Sequence, residues 1–101
     1  MEMDSSNKII TTLLKVGQEP VVAASPEVRG SQRRVGKRHT LEVYNRAKFE
    51  VYFGGENVDV DTGIPILPNE HRIFSVGDPY ALYLVCGRDE GANVVIAEYC
   101  S

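Results

Sequence analysis

The sequence predicts an all-β protein, a small antiparallel β-sandwich or jelly-roll-like barrel of about six to eight strands. From Thr40 onward apolar and polar residues alternate with period two, which places every second side chain on one face of a strand. Short apolar runs are separated at regular spacing by Gly, Pro, Asn and Asp, the residues that make turns. A chain of 101 residues is also the size of one domain.

The chain is predicted to begin with a polar arm, residues 1–8, and to continue as a single β-sandwich domain over residues 9–101. The arm carries Glu2 and Asp4 and has no apolar stretch behind a basic start, so it does not resemble a secretion signal, and we expect intracellular synthesis. The longest apolar run, residues 81–86, is far shorter than a membrane span, so no membrane partner is expected.

The first apolar segment after the arm allows two interpretations. Ile9, Ile10, Leu13 and Leu14 fit the spacing of a short helix. β-branched residues and the short length favour two strands instead, at residues 11–16 and 20–24 around a turn at Gly17-Gln18.

Two alternating segments, residues 40–44 and 48–53, are predicted to form a hairpin or to be close neighbours around a short break at Asn45. Val58 and Val60 suggest a further short strand. Another strand is predicted at residues 71–76.

The apolar piece that follows residue 63 contains Pro65 and ends at Pro68. Proline cannot donate a ladder hydrogen bond, so this piece is predicted to be a sheet edge or a covering loop. Its apolar side chains are candidates for packing between subunits: Ile64, Ile66 and Leu67.

Residues 81–86 and 93–99 are apolar on both faces and are predicted to be interior strands joined by a hairpin tip at residues 88–91. Two cysteines lie near the ends of these segments, Cys86 and Cys100. We expect both to be small buried or edge thiols, because free cysteine packs as a small hydrophobic residue.

A turn motif lies between the middle strands, and its structural residues are Gly54, Gly55, Asn57 and Gly63. Gly63 is predicted to supply a backbone conformation that other residues avoid. The residues before it, Asp61 and Thr62, are predicted to cap local amides.

Asp61-Thr62-Gly63 is also the tripeptide of aspartic-protease active sites, where two carboxylates share one proton. A homodimer could supply one Asp61 from each chain. Gly87 lies in a segment, residues 85–89, that echoes the hydrophobic-Gly-Arg-Asp segment near the end of such enzymes, but its spacing from Asp61 is too short for their strands and flap. The residue after the tripeptide is Ile64, where these enzymes usually have a small residue. An aspartic protease dimer using Asp61 is therefore the remote alternative, and we predict no enzyme activity.

A basic loop at residues 25–39 contrasts with the acidic remainder of a chain of net charge −3. It is predicted to be exposed, either as a solvated loop that keeps the protein soluble or as an electrostatic anchor for an acidic partner. Nucleic acid is an unlikely partner because no aromatic residue lies among these cations to stack on bases. The two histidines are isolated, so no metal site and no cofactor is predicted. The predicted partner-binding residues are Arg29, Arg33, Arg34, Lys37 and Arg38.

Three stretches, VYFGGENVDVDTGIPILPNE, SVGDPYALYLVCG and NVVIAEY, resemble the small β-sandwich structural proteins of tailed bacteriophages, of the capsid decoration or cement type. The earlier LLKVGQEPVVAAS is similar to the first strand pair of such proteins, so the resemblance covers most of the chain from residue 9, with residues 25–37 matched least. The matching positions are Gly54, Gly55, Asn57, Val58, Gly63, Ile64, Pro65, Leu67, Asp78, Tyr80, Leu82, Tyr83, Val95 and Glu98.

The resemblance implies a virion component without enzyme activity, made in the host cytoplasm and located on the outer surface of the capsid. Its implied partners are the major capsid protein and itself, as a homotrimer. A structural component of the phage neck or tail tip is the alternative, since similar small sandwiches occur there.

Overall fold

The computed structural model describes residues 8–24, 38–77 and 80–100, and these fold as eight strands in two four-stranded antiparallel sheets. The described residues contain no helix, so the predicted all-β class is confirmed. The strands are β1 (Lys8–Val16), β2 (Val21–Ala24), β3 (Arg38–Asn45), β4 (Val51–Gly54), β5 (Ile64–Ile66), β6 (His71–Phe74), β7 (Leu82–Val85) and β8 (Ala92–Cys100).

The strand order is that of a jelly roll. The first sheet is ordered β1-β8-β3-β6 and the second β2-β7-β4-β5. The first strand therefore pairs with the last, and the second with the second-last, which is the nested pairing of two Greek keys. The predicted β-sandwich with jelly-roll-like topology is confirmed.

The N-terminal segment is extended rather than helical. β1 pairs with β8 in an unbroken antiparallel register from Lys8 opposite Cys100 to Val16 opposite Ala92. The two-strand interpretation is confirmed, and so are the interior positions of β7 and β8. β5 is an edge strand, as Pro65 predicted.

The predicted hairpin between residues 40–44 and 48–53 was wrong, because β3 and β4 lie in different sheets. The buried Asn45 turns the chain from one sheet to the other. Its Nδ2 donates to the carbonyls of Phe49 at 3.0 Å and Ile66 at 2.9 Å, and its Oδ1 accepts from the amide of Ala47 at 2.9 Å. One side chain thus satisfies three backbone groups at a buried corner.

The hairpin predicted between residues 81–86 and 93–99 was also wrong, since β7 and β8 belong to opposite sheets. Cys86 follows β7 in the second sheet, whereas Cys100 ends β8 in the first. Both cysteines are free and buried, as predicted. The Cys86 amide donates to the Gly17 carbonyl at 2.8 Å and ties β7 to the end of β1.

Alternating residues from both sheets fill the core between them. Ile66 is one of these fully buried residues, so its predicted role in packing between subunits was wrong: it points inward from β5. The buried cluster consists of Val16, Ala23, Leu41, Val43, Val51, Ile66, Leu84, Cys86, Ala92, Val94 and Ile96.

Arg38 is buried, and the prediction that it lies in an exposed loop and binds a partner was wrong. It opens β3 and is only 2% exposed, so the prediction of a loop over residues 25–39 is wrong at residues 38 and 39, which belong to β3. Its Nη1 forms an ion pair with Glu98 Oε2 at 3.1 Å. Its other nitrogens donate to the carbonyls of Val76 at 3.2 Å, Tyr80 at 2.7 Å and Gly77. Four of the five N–H donors of this buried guanidinium are therefore engaged within the fold, and the group is not exposed to a second protein.

We expect Arg38→Ala to lower the free energy of unfolding by about 3–5 kcal/mol, because it leaves the buried Glu98 carboxylate without its cation. Urea unfolding followed by circular dichroism measures this loss. The matched control is Arg46→Ala at an exposed position, where we expect a change within about 0.5 kcal/mol. A loss at Arg38 no larger than the control would mean that water screens the pair.

Candidate interaction surface

The outward side of the first sheet carries large apolar side chains. We call it the outer face, and it consists of Ile9, Thr11, Leu13, Lys15, Thr40, Glu42, Tyr44, His71, Ile73, Asn93, Val95, Ala97 and Tyr99. Ile9 is 61% exposed, Leu13 62% and Ile73 60%, which is high for aliphatic residues of regular strands.

The strand register brings these apolar residues together. Ile9 lies opposite Tyr99, and Leu13 lies opposite Val95, which in turn lies opposite Tyr44. Directly opposite residues on one face of an antiparallel pair are in side-chain contact range. The outer face therefore carries an apolar row, Leu13-Val95-Tyr44, across β1, β8 and β3, with the apolar pair Ile9 and Tyr99 on the same face. Exposed apolar groups of this kind mark sites of protein association.

The sequence contains a signal for this surface that lies outside the motifs. β1 is apolar at neighbouring positions, Ile9 with Ile10 and Leu13 with Leu14. In a strand, neighbours point to opposite sides, so an edge strand of a sandwich with this pattern exposes one apolar side.

One carboxylate lies in the middle of the outer face, and two side chains hold it. The Tyr99 hydroxyl donates to Glu42 Oε1 at 2.9 Å, and His71 Nδ1 lies 3.0 Å from Glu42 Oε2. The hydrogen bond to Glu42 and its negative charge raise the pKa of Tyr99 above its ordinary value. Each oxygen of this carboxylate is thus engaged within the face.

The free edge of β5 is a second exposed apolar feature. Ile64 and Leu67 are each 52% exposed, and with the exposed Val60 we call them the β5 edge. Arg72 Nη2 donates to the Pro65 carbonyl at 3.2 Å, and the Leu67 amide donates to Glu70 Oε1 at 2.7 Å. These bonds and Pro65 block strand addition, so this edge offers side chains and not backbone to a neighbour.

The turn motif has a different physical basis from the one predicted. Among the described residues, the glycine with positive φ is Gly91, so Gly63 does not need an unusual backbone conformation. A Cβ on Gly63 would lie 2.6 Å from Tyr52 Cβ and 2.9 Å from the Asp59 carbonyl oxygen, so the position requires glycine for space.

Gly54 also lacks room, since a Cβ there would lie 2.8 Å from Val58 Cγ2. The Val58 amide donates to the Gly55 carbonyl at 3.0 Å and closes a turn that includes Asn57. Val58 and Val60 therefore lie in loop structure, and the short strand predicted there was wrong.

Asp59 caps the next turn, rather than Asp61 as predicted. Asp59 Oδ1 accepts from the amides of Asp61 at 2.9 Å and Thr62 at 2.8 Å, and from Thr62 Oγ1 at 3.1 Å. These bonds lower the pKa of Asp59. Thr62 Oγ1 also accepts from the Asp59 amide at 3.2 Å, so the prediction for Thr62 is confirmed.

Four of the five predicted partner-binding cations lie outside the described residues: Arg29, Arg33, Arg34 and Lys37. The same holds for the predicted arm up to residue 7. Within the described ranges, no group of three or more His, Cys, Asp or Glu side chains could hold a metal ion. No helix in that part of the chain is long and apolar enough to cross a membrane.

Comparisons with protein families, with curated proteins and with solved structures found no match to this chain.

We expect Glu42→Gln to return the pKa of Tyr99 towards its ordinary value, because the negative charge that disfavours the phenolate is removed. Phenolate absorbance as a function of pH measures this, and a Tyr99→Phe variant identifies the Tyr99 step. Since the folded pKa of Tyr99 is raised, its stabilising contribution is complete below about pH 10 and is lost as pH rises through the folded pKa. Coincident Tyr99 titrations in wild type and Glu42→Gln would contradict this coupling.

Proposed function

We propose that this protein is a capsid decoration protein, a virion component without enzyme activity that binds the outer surface of a tailed-phage head. There it bridges neighbouring subunits of the major capsid protein and stabilises the shell. The observation that carries the proposal is the set of exposed apolar side chains on the outer face, Ile9, Leu13 and Ile73, which are suited to contact with another protein. The motif resemblance to phage decoration proteins supports it independently.

The outer face is the contact with the shell in this proposal. Burying one fully exposed aliphatic side chain contributes about 1.5–3 kcal/mol, so the exposed parts of Ile9, Leu13 and Ile73 together supply a few kcal/mol. That gain is modest once the cost of association is subtracted. Many modest contacts on one shell together resist its expansion, because the contacts of every copy must break before the shell can expand.

The basic loop adds an electrostatic contribution in this scheme. Arg29, Arg33, Arg34 and Lys37 remain the predicted cations for an acidic capsid surface, whereas Arg38 is committed to Glu98. Clustered cations speed the encounter with an acidic partner, and this effect weakens with salt.

Self-association as a homotrimer is assigned to the β5 edge. Ile64 and Leu67 project from one side of the sandwich, and a closed ring needs such a patch to meet a different surface of the next copy. Because the backbone of this edge is blocked by Pro65 and Arg72, the contact is made by side chains.

We expect Leu13→Asp combined with Ile73→Asp to lower occupancy on purified shells, with Kd rising at least about tenfold, because two apolar contacts become desolvated charges. Co-sedimentation with shells lacking the protein measures occupancy. Tyr80→Asp is the matched control, since Tyr80 is 63% exposed but lies outside both apolar surfaces. The free energy of unfolding should be nearly unchanged in all variants, because the sites are exposed.

The same assay separates the apolar face from the basic loop. Arg33→Ala with Arg34→Ala should weaken binding at low salt and matter less at high salt, whereas the outer-face variant should be weak at both. Full occupancy of the outer-face variant would contradict the proposed docking surface.

We expect Ile64→Asp with Leu67→Asp to convert a trimer of the 11.2 kDa chain to monomers, because charge at the β5 edge would be buried without a partner. Sedimentation equilibrium measures the mass. The outer-face variant serves as the control and should remain trimeric. A monomeric wild type, or a trimer that survives the β5-edge substitutions, would remove the edge from the assembly.

A further inference from the structure

A basic cleft lies at one end of the sandwich, apart from both apolar surfaces. It is formed between the β3–β4 and β7–β8 connections and has a volume of about 410 Å³. Its principal lining residues are Arg46, Lys48, Phe49, Arg88, Glu90 and Asn93. Three cations around one cleft are unexpected in a chain with 14 acidic and 11 basic residues.

The two other arginines of the described ranges form ion pairs, whereas the cations of this cleft, like the exposed Lys15, do not. Arg38 is paired with Glu98, and Arg72 with Glu70. In the part of the chain that the structure describes, Arg46, Lys48 and Arg88 form no ion pair with a carboxylate. Their charges are therefore available to an external anion.

Two contacts fix the walls of the cleft. The Arg46 amide donates to the Asn93 carbonyl at 3.1 Å, which holds the β3–β4 connection against the start of β8. The Arg88 guanidinium lies 5.0 Å from the centre of the Phe49 ring, which joins the β7–β8 connection to the β3–β4 connection. A guanidinium stacked on a ring keeps its edge N–H donors free for carboxylates. The Arg88 guanidinium and the backbone that carries Arg46 are thus held in place before a ligand arrives.

We propose that this cleft binds an acidic segment of a partner polypeptide, whose Asp or Glu carboxylates pair with Arg46, Lys48 and Arg88. A polypeptide fits better than a nucleic acid for two reasons. Arg88 lies over the face of Phe49, so a base would have to displace it to stack there. Glu90 also lines the cleft and would repel a continuous phosphate backbone, whereas a peptide can place a backbone amide beside it.

The cleft lies at the end of the first sheet where Val16 lies opposite Ala92 and where β3 ends at Asn45. The cleft proposal itself holds whether or not the partner is a capsid.

The test uses a fluorescent hexaglutamate peptide and the full-length protein, with binding followed by fluorescence polarisation at low and moderate salt. We expect Lys48→Glu to weaken binding by about tenfold or more, because it reverses one of three converging charges. Arg72→Glu is the matched control: it makes the same charge change at an arginine that is paired with Glu70 and does not line the cleft, and it should have a small effect. Arg46→Gln is a second cleft variant that removes charge without reversing it, and it should weaken binding less.

Three results would overturn the proposal. One is the absence of peptide binding to the wild-type protein at low salt. The second is equal weakening by Lys48→Glu and Arg72→Glu, which would reflect net charge rather than a site. The third is tighter binding of a single-stranded oligonucleotide that is lost in Lys48→Glu, which would assign the cleft to nucleic acid. Unfolding curves for each variant confirm that the fold is retained, so a lost signal reports on the cleft.

Discussion

The buried ion pair between Arg38 and Glu98 is the constraint on which the rest of the sandwich depends. It joins β3 and β8, the two central strands of the first sheet. The same guanidinium also donates to carbonyls of the β6–β7 connection, where the chain passes from the first sheet to the second. It is therefore not available to another ligand. A charge this deeply buried is tolerated only when it is paired and its donors are satisfied. The position of the connection between sheets is thereby fixed.

This arrangement leaves the outward sides of the molecule free for partners. The core is filled between the sheets, and Asn45 closes the corner at the end opposite Arg38. Among the described residues, aliphatic side chains are exposed on the outer face of the first sheet and at the β5 edge, while Arg46, Lys48 and Arg88 line the cleft between two connections without a carboxylate partner. Three chemically different surfaces on one small domain suit a protein that holds several neighbours at once. That is the physical requirement of the proposed decoration role.

Local sequence pattern predicted the positions of the strands better than it predicted which strands pair. The alternation of Leu41 and Val43 gave β3, and Pro65 gave an edge strand, because both signals act within a few residues. Strand pairing in a jelly roll is nonlocal, so the assumption that consecutive strands pair failed at Asn45 and after Cys86. Arg38 was predicted to bind a partner with the neighbouring cations of the basic loop, because sequence alone does not distinguish a buried arginine from a solvated one. Ile64 and Leu67 of the β5 edge were predicted correctly as exposed apolar residues, whereas Ile66 is buried. The outer face was not predicted, because the exposed apolar side of β1 meets β8 and β3 only through a strand register that local sequence pattern does not give.

We propose that this chain decorates the outside of a phage head. Cryo-electron microscopy of the virion that carries it, compared with a virion lacking it, tests that claim most directly. The proposal predicts difference density of jelly-roll size repeated over the outer shell, with the outer face of the first sheet turned towards the capsid. Difference density confined to the neck or tail tip, or no difference at all between the two particles, would contradict it.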